Sequence, residues 1–300
     1  MAGTIPVKKA TASGTVSQFG KQTFRRLAGR VVFPQPAVIS LQNPVVMMHG
    51  FGLLASLRGG GHMHAEAMHL RQRGVLAYAP NVSPYHTIPF RAAAWAEIVG
   101  QILEETGANK VNLIAHSMGG LDARYLISRL GFHDRVACLV TVASPHRGSA
   151  LANIVLESPE RMQGWMTDAA KWVSDATMAG TPSDFHRAVS DLAPEYVIGT
   201  FNPEVPDHPD VRYWSYAAHA GRGTAVSINP LLAPLNLMLF PRQGPNDGFV
   251  AASSAVWGEC LGTLEADHAQ QIGIGRSIGS KFDSFGFFAD VSRMMAANGF

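Results

Sequence analysis

The chain has 300 residues, 47% of them hydrophobic and 15% charged, with 24 basic against 22 acidic side chains. So apolar a balance excludes a disordered protein, and a formal net charge of +2 argues against a nucleic-acid-binding surface over the whole chain. The length admits two domains, but α/β folds of about 250 residues are often one unit, and the chain is read as one large core.

The charge is unevenly placed. Six basic residues (Lys8, Lys9, Lys21, Arg25, Arg26 and Arg30) and no acid fall in residues 1–30, and the first acid is Glu66. This leader lacks the apolar stretch of about 7–15 residues that a secretory signal needs. Its composition fits an organelle-targeting segment, a membrane-surface arm or a solvated terminus. Residues 1–40 are therefore expected to form a basic arm ahead of a domain over 41–300. A cytoplasmic location, or one peripheral to a membrane, is expected ahead of secretion. Cys138 and Cys260 are too far apart in the chain to make a disulfide framework. Cys138 sits in the apolar run 136–142 and reads as a small core residue. No apolar run approaches the roughly 18 residues of a membrane-spanning helix, and the greasiest stretch, 230–241, is interrupted by Pro and Asn.

In chain order, 45–48 is a short apolar strand ended by His49-Gly50, 64–73 a helix and 75–79 an apolar run. Residues 90–106 place Ala94, Trp95, Ile98 and Ile102 at helical spacing and stop at Gly107. Then 110–115 reads as a strand, 118–129 as a helix and 136–142 as a strand. Apolar strands alternating with amphipathic helices predict an α/β fold with a mostly parallel sheet covered on both faces. From about 149 to 200 the rhythm changes. Met162, Trp165, Met166, Ala169, Trp172, Val173 and Ala176 follow the spacing of an amphipathic helix, so the block reads as an insertion over one end of the sheet. A strand-like run at 211–217 and a helix over 282–298 close the pattern.

The strongest chemical signal is Ala115-His116-Ser117-Met118-Gly119-Gly120 between a strand and a helix, the context of a nucleophile elbow. Small residues two places either side of the serine let so tight a turn form. A serine of this kind needs a base and a carboxylate later in the chain, and an oxyanion hole. Asp247, in the turn 244–249, is the first acid after Asp210, and His268 is the only histidine after His219. Asp267 is poorly placed to orient the ring of its own neighbour, which leaves Asp247 as the partner of His268. The amides of Phe51, after the first strand, and Met118, at the helix start, are the candidate oxyanion donors. His49, His116 and His146 read as structural or packing residues. His62, His64 and His69 lack the supporting ligands of a zinc site, and no metal is expected there.

With Ser117, Asp247 and His268 in that order, the chain resembles the α/β-hydrolase superfamily, and more narrowly the bacterial true lipases of the Pseudomonas and Burkholderia type. The segments 44–50, 110–120, 144–149, 201–202, 211–215 and 246–248 carry the likeness. It implies the α/β-hydrolase fold with a helical lid over about 149–200. It also implies a serine lipase or carboxylesterase using an acyl-enzyme on Ser117, with a lipid or other ester as substrate at a lipid–water interface. Met162, Trp165, Met166 and Trp172 would then belong to the lid or acyl pocket. A phospholipase, polyester depolymerase or acyltransferase with the same triad is the alternative, as is a non-catalytic lipid-binding protein. No nucleic-acid partner is expected. Such lipases commonly hold a structural calcium with two Asp side chains. One position is Gln270 here, and 211–246 holds no acid, so no calcium site and no cofactor are expected.

Overall fold

Six strands form a single sheet: β1 (Val45–Met48), β2 (Ala77–Tyr78), β3 (Val111–His116), β4 (Val136–Val142), β5 (Arg212–His219) and β6 (Glu259–Glu265). Their order is β2-β1-β3-β4-β5-β6, and every pairing is parallel. The computed structural model describes residues 37–51, 62–157, 184–274 and 282–300. The chain divides into two units, Met1–Ala37 and Val38–Phe300, and all the elements lie in the second. The basic arm read from the sequence falls almost wholly outside the described residues.

Parallel strands need crossover helices, and these cover both faces. They are α1 (His64–Arg71), α2 (Ile88–Thr106), α3 (Gly119–Ser128), α4 (Ala150–Glu157), α5 (Phe185–Ser190) and α6 (Ala233–Gln243), and α7 (Ser284–Ala297) follows the last strand. Successive strand residues point to opposite faces. Val45, Met47, Ile114, Val140 and Trp214 meet Leu70 of α1 and Phe288, Val291 and Met295 of α7. Val46, Met48, Leu113, Leu139 and Tyr213 meet Trp95, Val99 and Ile102 of α2 and Ala123, Leu126 and Ile127 of α3. Strands apolar on both faces are therefore a requirement of the fold, and they account for much of the hydrophobic excess.

Local chemistry sets the helix ends. α2 opens with Pro89 in its first turn, where the missing N–H costs nothing, and ends at Gly107 in the left-handed region, whose N–H returns to the Leu103 carbonyl. α6 occupies the stretch that looked interrupted. Pro234 sits in its first turn, where its missing N–H costs nothing, and Pro241 falls in its last turn, two residues before the helix ends. β6 was not anticipated: it is an edge strand with little burial, its Glu259, Gly262 and Glu265 giving no apolar alternation. Among the described residues no helix is long and apolar enough to cross a membrane.

β2 lies on one side of β1 and β3 on the other, so the strand order reverses at β1, and the carboxyl ends of β1 and β3 border the crevice where α/β sheets bind ligands. A buried ion pair ties that edge together. The Arg91 guanidinium of α2 bonds the Asp122 carboxylate of α3 at 2.8–2.9 Å, the Ser83 carbonyl at 2.6 Å and the His49 carbonyl at 2.7 Å. Burial pushes Asp122 up to about 6 against the opposing pull of Arg91. Removing one partner strands the other charge in the interior. Asp122→Ala is expected to cost about 3–5 kcal/mol in denaturant unfolding; a loss below about 1 kcal/mol would mean that Arg91 finds another partner.

Candidate active site

Ser117 is the first residue past β3, and its φ of 58° puts a non-glycine residue in the left-handed region. That conformation costs of order 1–3 kcal/mol and persists only where the surroundings impose it. Here the surroundings are close-packed backbone and side chains. A Cβ on Gly119 would meet the Met48 carbonyl at 2.7 Å and that of His49 at 2.9 Å, and one on Gly120 would collide with the Ser144 side chain. Ala115 is paired with Met48 and fully buried, so only a small side chain fits there. The Ser117 amide donates to the Val142 carbonyl of β4, which fixes the turn to the sheet.

The end of β1 comes close on the same side: a Cβ on Gly50 would lie 2.8 Å from the Met118 nitrogen and 2.6 Å from Ser117 Cβ. Among the described residues neither the Phe51 nor the Met118 amide has an acceptor. Among the described residues, two N–H groups without an acceptor thus border the serine. The side chain of His49 turns away, its Nε2 accepting from the Val82 amide and its Nδ1 donating to the Gly50 carbonyl.

Asp247 and His268 arrive from loops at the far edge. His268 Nδ1 stands 2.7 Å from Asp247 Oδ2, and the His268 amide donates to the Asp247 carbonyl. Asp247 Oδ1 accepts from the Phe249 and Val250 amides at 3.0 and 2.8 Å. Asn236, buried in α6, ties this loop down: its Nδ2 donates to the Ala220 and Asn246 carbonyls and to Asn246 Oδ1. Asp267 does not touch the ring of His268. Its carboxylate instead accepts the amides of Asn229, Ala269 and Gln270.

Ser117 and His268 line one pocket with Phe51, Pro145, Leu151, Val155, Val189, Leu192 and Phe249. They share its wall without a hydrogen bond between them in this arrangement. α4 and α5 supply the apolar wall, so the described ends of the block 149–200 border the pocket. Met162, Trp165, Met166 and Trp172 lie outside the described residues. Of the three residues considered for zinc, His62 stacks on His49 and His69 on Phe285, and among the described residues no cluster of three metal-ligating side chains occurs.

Sequence reasoning did not find Asn236, Gln271, Arg91 or Asp122. Buried Arg and Asp on apolar helix faces were the available signal for the last two. It read His116 and His146 as packing residues. Both are buried, and both also make specific hydrogen bonds, His116 to Gln271 Oε1 and His146 to Thr141 Oγ1.

A parallel sheet with a strained serine after an interior strand, two free amides beside it and a His–Asp pair beyond the later strands is the arrangement of a hydrolase built for nucleophilic acyl transfer. The chain belongs to the α/β-hydrolase family: the family profile, described as alpha/beta hydrolase fold, matches residues 43–193. It is 30% identical over 251 residues to triacylglycerol lipase 2 of Saccharomyces cerevisiae, covering 77% of this chain and 72% of that relative. It is 28% identical to a triacylglycerol lipase of Vibrio cholerae, covering 73% and 75%. Among solved structures, a metagenomic carboxyl esterase superposes with a TM-score of 0.69 at 20% identity, covering 89% of this chain and 79% of that one. A mature Bacillus licheniformis lipase does so at 0.60 and 21%, covering 87% and 97%. The chain is a carboxylic ester hydrolase of the lipase and carboxylesterase kind.

Four histidines around the site are held neutral. Burial first, then the charges of His62 and Arg91, lowers His49 well below the ordinary 6.5. Burial and Arg91 bring His62 to about 4. Burial and His268 lower His116, while burial with Arg124 and Arg147 lowers His146. The unfolded chain protonates these rings near 6.5 and the folded chain only far below. Stability is therefore complete above that value and lost as pH falls through it, by up to about 1.4 kcal/mol per pH unit for each ring. Burial raises the carboxyls of Asp122, Asp191 and Asp267, which oppose this loss, Asp122 only from about 6 downward. The melting temperature is expected to drop as pH goes from 7 to 6; a flat profile there would contradict neutral burial of the rings.

Proposed function

We propose that the chain hydrolyses acyl esters of lipids, triacylglycerols among them, through an acyl-enzyme on Ser117. Ser117 Oγ attacks the ester carbonyl carbon as its proton passes to Nε2 of His268, while Nδ1–H stays bonded to Asp247. The charge that develops on the carbonyl oxygen meets the Phe51 and Met118 amides, donors that need no reorganisation when it appears. Collapse breaks the bond to the alcohol, which leaves with the proton of His268. A water, deprotonated by His268, then attacks the acyl carbon, releasing the carboxylic acid and regenerating Ser117.

The observation that carries this reading is the strained Ser117 on one pocket wall with the Asp247-bound His268. The Leu151, Val155, Val189 and Leu192 surface suits an acyl chain, and the yeast and Vibrio relatives named triacylglycerol lipase support a glyceride substrate. Ser117→Ala is expected to lower hydrolysis of p-nitrophenyl esters by at least about 10³-fold with the melting temperature unchanged, and a fluorophosphonate is expected to label Ser117. Wild-type rates in that variant, or no adduct on the serine, would sink the assignment.

We infer further that the His268 loop is held without calcium. The position that would offer a carboxylate is Gln270, whose Oε1 accepts the Asp267 amide, and Asp267 itself already accepts three backbone amides. Calcium asks for several oxygens with carboxylate charge, and these residues do not fit it. Those amides give the loop the anchorage an ion would otherwise supply. Prolonged treatment with EDTA is expected to leave melting temperature and esterase rate unchanged; a fall in either, reversed by calcium, would refute this.

A further inference from the structure

Gln271 lies on the 3₁₀ turn Gln270–Ile272, three residues past His268, and is fully buried. Its Nε2 donates to Asp247 Oδ2 at 2.8 Å, the same oxygen that accepts from His268 Nδ1 at 2.7 Å. Its Oε1 lies 3.0 Å from His116 Nε2. The amide has one satisfactory orientation, because turning it round would set Oε1 against a carboxylate oxygen. With Oε1 facing His116, Nε2 of that ring must carry the hydrogen. His116 immediately precedes Ser117, and its ring centre lies 4.4 Å from that of His268. A chain of hydrogen bonds thus runs from the nucleophile turn through Gln271 to Asp247 and on to His268.

We propose that Gln271 is a positioning residue for the reaction: its amide holds the Asp247 carboxylate in the rotamer that orients His268, and its link to His116 locks that pair in register with the Ser117 turn. An apolar side chain of this size would fill the space equally well. What the amide adds is direction and neutrality. With Gln271 in place, Asp247 Oδ1 accepts two backbone amides and Oδ2 accepts His268 and Gln271, which fills the four acceptor sites of a carboxylate. No second negative charge is added beside the imidazolium formed in the transition state. The ionisable groups facing this amide are Asp247 from the loop after α6, His116 from the turn after β3, and His268 and Asp267 from its own loop; His62 and His49 lie beyond His116. The first three touch it or the carboxylate it holds, and the others act only on those.

The inference rests on the assignment of Ser117, Asp247 and His268, and the experiment separates the two. Gln271→Leu removes both hydrogen bonds at nearly constant volume. It is expected to lower kcat roughly 10- to 100-fold with KM within twofold, after rates are normalised to the fraction of serine titrated by fluorophosphonate. Gln271→Glu, nearly isosteric, sets a second carboxyl against Asp247, and the two share a proton until pH rises. The extra negative charge then favours imidazolium, so the acid limb of the kcat/KM profile is expected to move up by about one pH unit. The size of that shift reads how closely residue 271 is coupled to the Asp247–His268 pair. An unmoved limb in Gln271→Glu, or a normalised kcat for Gln271→Leu within twofold of wild type, overturns the proposal. Should the Leu variant not fold, the pH profile of the Glu variant decides alone. Full activity in Ser117→Ala would instead overturn the underlying assignment, whatever the Gln271 variants do.

Discussion

The close approach of the β1 end to the turn after β3 is the constraint on which the rest of the site depends. At Gly50, Gly119 and Gly120 a Cβ would lie within 3 Å of its nearest neighbour, and at Gly50 and Gly119 those neighbours include backbone atoms that cannot step aside. Packed this tightly, the turn holds Ser117 at a φ of 58°. It also brings the Phe51 and Met118 amides to the same edge. The strain is of order 1–3 kcal/mol, small beside the burial of a sheet apolar on both faces, so the fold can sustain it. The same packing sets the end of β1 against Ser117 and the Met118 amide.

Polar groups hold the remaining pieces in place, and nearly all of them are buried. Arg91 and Asp122 join two helices to the His49 carbonyl. Asn236 joins α6 to the loop of Asp247, and Asp267 pins the loop of His268 to Asn229. Such networks help only when their members are satisfied, since an unpaired polar group in a low-dielectric interior is costly. The buried histidines follow the same logic. His49 and His116 are kept neutral by burial and hold fixed partners through their ring nitrogens, so near Ser117 they act as polar struts.

The apolar richness of the chain divides between these requirements. Strands β1, β3 and β4 are buried throughout, as a doubly covered parallel sheet demands. A second share faces the pocket through Leu151, Val155, Val189 and Leu192, where an ester with an apolar acyl group would meet Ser117. Both uses suit the one enzyme class, and neither calls for a second domain within Val38–Phe300.

Much of the fold was legible because it is encoded locally. Continuous apolar runs located β1 and β4 to the residue and most of β3, and helical spacing located α2, α3 and α7 to within a few positions. The small residues around Ser117 marked the elbow, and the order of Ser117, Asp247 and His268 marked its partners. The edge strand β6 stayed hidden because an exposed strand needs no apolar alternation. α6 stayed hidden because its prolines read as breaks until their places in the first and last turns were known. The amino-acid sequence by itself determined the class of fold and marked the turn at Ser117, since each is written in neighbouring residues, and the chain order of Ser117, Asp247 and His268 supplied the candidates for the site. Only the tertiary structure decided what holds them: Arg91 meets Asp122 across 31 residues, and His116 meets Gln271 across 155. Partners that distant leave no periodic trace, because the packing of helices on a sheet, and not the spacing along the chain, brings them into contact.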